Sequence, residues 1–150
     1  MRIPAALLAS LIVSCGAPPA LPAPATVPAA KQIAILASEG GVLRPIANGG
    51  RVALRGGWAT VTLAPAAGGE ADLDIALFDS AGRTVTGDVR ASYESMDMDH
   101  GSTVEPGVLH GDCYRVRLSF IMPGAWRVVV HVAHDGVEES LTLVLPQAGL

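Results

Sequence analysis

The stretch Cys113-Tyr114-Arg115-Val116-Arg117-Leu118-Ser119-Phe120 alternates without a break between polar and apolar residues. Successive side chains of an extended strand point to opposite faces. Tyr114, Val116, Leu118 and Phe120 therefore share one face, and Cys113, Arg115, Arg117 and Ser119 the other. A period of two held over eight residues marks a half-buried β-strand. Immediately downstream, Met122-Pro123-Gly124 turns the chain, and Trp126, Val128, Val130 and Val132 repeat the alternation. His131 falls on the opposite face from Trp126. His134-Asp135-Gly136 then forms the next turn, its Asp-Gly pair favouring a hairpin. A last strand carries Leu141, Leu143 and Leu145 and is expected to end at Pro146.

Upstream the same pattern recurs. Ile33–Ala37 is a short apolar run. Val42–Ala47 contains Pro45, which suits an edge strand because proline donates no ladder hydrogen bond. Arg51–Leu54 and Trp58–Ala64 flank Gly56-Gly57, a tight turn or bulge. Asp72–Leu77 alternates throughout and ends in the turn cluster Asp79-Ser80-Ala81-Gly82. In Val85–Glu94, Val89, Ala91 and Tyr93 share a face. Residues 101–111, with three glycines and one proline, read as a loop. The fold class is all-β: an antiparallel, immunoglobulin-like β-sandwich of about seven strands. Tyr114, at the start of its strand after a loop, is placed to act as a tyrosine corner.

The chain has 150 residues, half of them hydrophobic, with a formal charge of −4. That is enough apolar material for one cored domain plus a short segment. A negative charge with scattered arginines argues against a nucleic-acid partner. Residues 1–14 read as an export signal, with Arg2 followed by an apolar run from Ala5 to Val13. Nine residues rise only about 14 Å as a helix, too short to span a bilayer. Ile12-Val13-Ser14-Cys15-Gly16 resembles a bacterial lipobox, which implies lipidation of Cys15 and anchoring to a membrane of the cell envelope. Residues 15–30, with Pro18, Pro19, Pro22, Pro24 and Pro28 among alanines, read as an extended tether about 45 Å long. Residues 31–57 read as N-terminal strands or an extension, and residues 58–146 as the sandwich domain.

Met96-Asp97-Met98-Asp99-His100 is the segment richest in chemistry. If it continues the parity of the preceding strand, Ser95, Asp97 and Asp99 point inward and Met96, Met98 and His100 outward. Two thioethers and an imidazole on one side suit a soft metal, copper as Cu(I) above all. Thioether sulfur has no proton to lose and forms no disulfide in an oxidising compartment. His110 and Met122 flank the following strand and are expected at the same end of the sandwich, where they complete the set. Met122 also reads as a core gap-filler. A rival site of Asp99, His100 and His110 suits Zn or Cu(II). Cys113 lies beside Arg115, whose charge is expected to lower its pKa. No oxyanion element or third group accompanies His110 and Cys113, so the expectation is a binding protein and not an enzyme.

Several segments together resemble the YtkA-like domain of exported bacterial proteins, related in pattern to FixH. They are Leu77-Phe78-Asp79, Gly82-Arg83-Thr84-Val85, Met96 to Gly101, and Phe120-Ile121-Met122-Pro123-Gly124-Ala125-Trp126. The resemblance covers roughly residues 58–145. It implies a small tethered β-sandwich associated with copper handling or with assembly of a membrane protein such as a terminal oxidase. The second possibility is a metal-free interaction module. The family's methionine segment sets Met and His close together near a glycine, and here two aspartates are interleaved.

Overall fold

The computed structural model describes residues 34–99 and 101–148. They form two antiparallel sheets packed on one core, the β-sandwich that the alternation calls for, built from eleven strands and not seven. The strands are β1 (Ile35–Glu39), β2 (Val42–Ile46), β3 (Gly50–Leu54), β4 (Gly57–Pro65), β5 (Glu70–Asp79), β6 (Asp88–Ser95), β7 (Thr103–Pro106), β8 (Val108–His110), β9 (Cys113–Ser119), β10 (Gly124–His134) and β11 (Val137–Ala148). One sheet has the order β2-β1-β11-β10-β6-β7, the other β3-β4-β5-β9-β8.

Inward-facing residues of both sheets make the core. Leu73, Ile75 and Leu77 of β5 and Val116 and Leu118 of β9 meet Val89 and Ala91 of β6 and Val128 and Val130 of β10. On the outer face of the five-stranded sheet, Arg115 and Arg117 stand directly opposite Asp74 and Asp72. Arg115 donates two hydrogen bonds of 2.8 Å to the Asp74 carboxylate. Opposite charges in facing positions fix the register of β5 against β9. Asp135 (φ 50°) and Gly136 (φ 75°) make the two-residue β10–β11 turn. Positive φ at both central positions is what a twisted hairpin asks of an Asp-Gly pair.

β2, with Pro45, is an edge strand as expected. β1 pairs with β11 and β3 with β4, and Ile35, Ala37 and Val52 are buried in the common core. The described residues before 58 thus belong to strands and turns of the same sandwich.

Two expectations need correction. Residues 101–111 are not a loop but contain β7 and β8, short exposed strands on different sheets. The chain crosses between the sheets at Gly107, whose N–H donates to the Val89 carbonyl at 2.7 Å. Strands so short and exposed carry no alternation to read. Pro146, for its part, does not end β11, which runs on to Ala148. The register jumps from Trp126–Leu145 to Gly124–Ala148, so Pro146 and Gln147 face Ala125 alone. That is a β-bulge, one of the few places within a sheet that tolerates a proline.

Candidate metal site at the methionine end

β6 delivers Val89, Ala91, Tyr93 and Ser95 to the buried side and ends at Ser95, opposite Trp126 of β10. Met96 makes the last ladder bond, its N–H donating to the Ala125 carbonyl at 2.8 Å. The N–H of Ala125 points to the same side, and the Asp97 carboxylate accepts it at 3.0 Å. The N–H of Asp97 in turn donates to Ser95 Oγ at 3.3 Å. Gly124 leaves the room: a Cβ there would lie 2.6 Å from Asp97 Oδ2. Beneath this clamp, Tyr93, Phe120 and Trp126 close the core, with ring centroids 5.2–6.4 Å apart.

The clamp sets the methionines outward. Met96 is 53% and Met98 45% exposed. With Asp99, Gly101, Ser95 and the ion pair Glu94–Arg127 they line a shallow depression of about 310 Å³. Counting along the strand is right for Ser95, Met96 and Met98. Asp97 is solvent-exposed, but its carboxylate is committed to the backbone of Ala125. Asp99 lines the depression beside the methionines because regular strand geometry stops at Ser95. His100 lies outside the described residues, though Asp99 and Gly101 on either side of it both line the depression.

The remaining candidates are not brought together with Met96 and Met98. Met122 sits at this end but packs half-buried against the core, and its carbonyl accepts the Trp126 indole N–H at 3.3 Å. Its gap-filling reading is the one the packing supports. His110 is exposed at the end of β8, just before β9, whereas Phe120 and Met122 follow β9. A seven-residue extended strand separates its two flanks by about 20 Å, so His110 and Met122 lie at opposite ends of the sandwich, not the same one. The same geometry separates Asp99 from His110. No group of three His, Cys, Asp or Glu side chains suited to a metal occurs among the described residues.

Cys113 corrects the activated-thiol expectation. Its thiol donates to the His110 carbonyl at 3.3 Å. Burial, reinforced by the charge of Asp74, pushes the thiol pKa up, and the opposing charge of Arg115 is outweighed. His131 lies on the outer face between the hydroxyls of Ser140 (3.1 Å) and Ser92 (3.4 Å), an ordinary surface network.

A half-enclosed pocket of about 240 Å³ at the other end went unread in the sequence. Leu54, Leu77, Val85 and Val132 line it, with Arg55, His134 and Glu139 at its rim. Its walls come from four separated segments, three of them strand ends and the fourth Val85 between β5 and β6. Cysteine and lipobox features at Cys15, the export signal and the tether fall outside the described residues.

Comparison with known protein families, curated proteins and solved structures finds no match. The YtkA-like resemblance therefore stands on its quoted motifs alone.

Proposed function

We propose that this protein is a lipid-anchored extracytoplasmic β-sandwich that binds copper as Cu(I) through Met96 and Met98, with His100 as third ligand, for chaperoning, delivery or resistance. The observation that carries the reading is the pair of solvent-facing thioethers lining one depression. Methionine is ordinarily core material, and two held outward by a dedicated backbone clamp leave packing without a claim on them. Soft sulfur donors favour Cu(I), and Asp99 beside them attracts a cation. Cys15, lipidated, supplies the anchor. The ligand set narrows to these three because Met122 packs inward and His110 sits at the far end.

Anaerobic Cu(I) titration of the protein against a competing Cu(I) chelator tests it. Replacing Met96 and Met98 together by alanine should weaken binding at least tenfold, a loss of about 1.4 kcal/mol. His131→Ala and His110→Ala should leave it unchanged. Equal losses across all of these variants would remove the site.

A second reading, a metal-free module that assists assembly of a membrane protein, is favoured by one specific feature. The edge strand β8 exposes Val108 (65%) and Leu109 (54%), and an open edge can accept a partner's strand. Absence of saturable Cu(I) binding, together with loss of partner association on Leu109→Pro, would favour it.

A further inference from the structure

The register of the six-stranded sheet shows at which end the chain enters the sandwich. Leu36 of β1 pairs with Val144. The next residue of β11, Leu145, pairs with Trp126, and Trp126 pairs with Ser95. Ala34, the first described residue, therefore leaves the sandwich at the methionine end, three strand spacings or about 14 Å across the sheet from Ser95. The loop following β9 reaches the same end, and its Ile121 is 70% exposed.

We infer that the methionine end is the membrane-facing end of this protein, where Ile121, Met96 and Met98 contact the lipid surface. The inference rests on the proposed acylation of Cys15 and is independent of copper. Between Cys15 and Ala34 lie eighteen residues, which span at most about 56 Å if extended in the polyproline manner of their sequence. For the opposite end to face the bilayer, that chain would have to double back along β10. Eleven extended residues measure about 36 Å, which would consume most of the tether. With the methionine end down, the whole tether is free and the apolar tips meet lipid first. Asp97 and Asp99 share this end, and Arg127 there is paired with Glu94, so the contact suits a zwitterionic bilayer and not an anionic one. Cargo held at Met96 and Met98 would then be presented toward the plane of the membrane.

The test uses full-length acylated protein in phosphatidylcholine vesicles carrying brominated acyl chains. Tryptophan is placed at the exposed tips of the two ends, Ile121→Trp and Val137→Trp, and quenching is measured in excess of the unsubstituted protein. The expected result is at least twofold quenching with a blue-shifted emission at position 121 and neither change at position 137. Equal quenching at both positions, or none at either, in protein that co-floats with the vesicles overturns the orientation and leaves the anchor standing. Protein that fails to co-float overturns the anchor reading and the orientation with it.

Discussion

Asp97 shows how one side chain is committed by a residue far along the chain. Regular pairing of β6 with β10 stops at Ser95, and Ala125 is left with an N–H that Asp97 accepts from 28 positions away. In the sequence Asp97 is only an acid between two methionines, because its partner is brought beside it when β6 and β10 pair. The outward placement of Met96 and Met98, by contrast, is legible from local parity. Asp97→Ala should destabilise the fold by about 1 kcal/mol through the lost hydrogen bond. Gly124→Ala should cost more, because its Cβ would lie 2.6 Å from the same carboxylate and the backbone there, at φ 154°, is one that residues with a side chain rarely adopt. The two effects should not add in full: the double variant should unfold at a higher urea concentration than the sum of the single losses requires, because the displaced carboxylate is counted once. Additive losses would mean that Gly124 and Asp97 do separate work.

The β5–β9 pair carries its own pH dependence. Hydrogen bonds from Arg115, opposed in part by burial, hold the Asp74 carboxyl below the usual carboxylate range. Because its folded pKa is depressed, its stabilisation is fully present above the unfolded value of about 3.9 and is lost as pH falls through the lower folded one. Asp74→Asn removes that linkage. The gap in urea midpoint between wild type and variant should be constant above about pH 5 and shrink steadily below about pH 4. A gap independent of pH would assign the Arg115 contact no electrostatic role. The long strands are plain in the sequence because each has one wet and one dry face. β7 and β8 are not, since they lack a buried face and owe their existence to pairing with β6 and β9.

The two sheets are held face to face by more than apolar contact. The chain has two tyrosines, and each crosses the core to the other sheet. Tyr93 on β6 accepts the Ser119 N–H at 3.2 Å, and Tyr114 on β9 accepts the Gly87 N–H, just before β6, at 2.9 Å. Tyr114 thus does tie its strand to distant backbone, as its position suggests, but it reaches 27 residues upstream, not a few. Replacing either by phenylalanine strands a backbone donor and should cost about 1–2 kcal/mol. The two sites lie toward opposite ends of the sandwich, so their effects on thermal unfolding should add to within about 0.5 kcal/mol. A coupled loss would show that the sheets part as one unit. This division of labour has a consequence for biogenesis. Many small exported sandwiches lock their sheets with a disulfide and so acquire their final strength only after oxidation. Here two hydroxyls take that place and the described residues hold a single unpaired thiol, Cys113. The domain should therefore fold to the same stability with or without a reductant, needing no oxidative machinery.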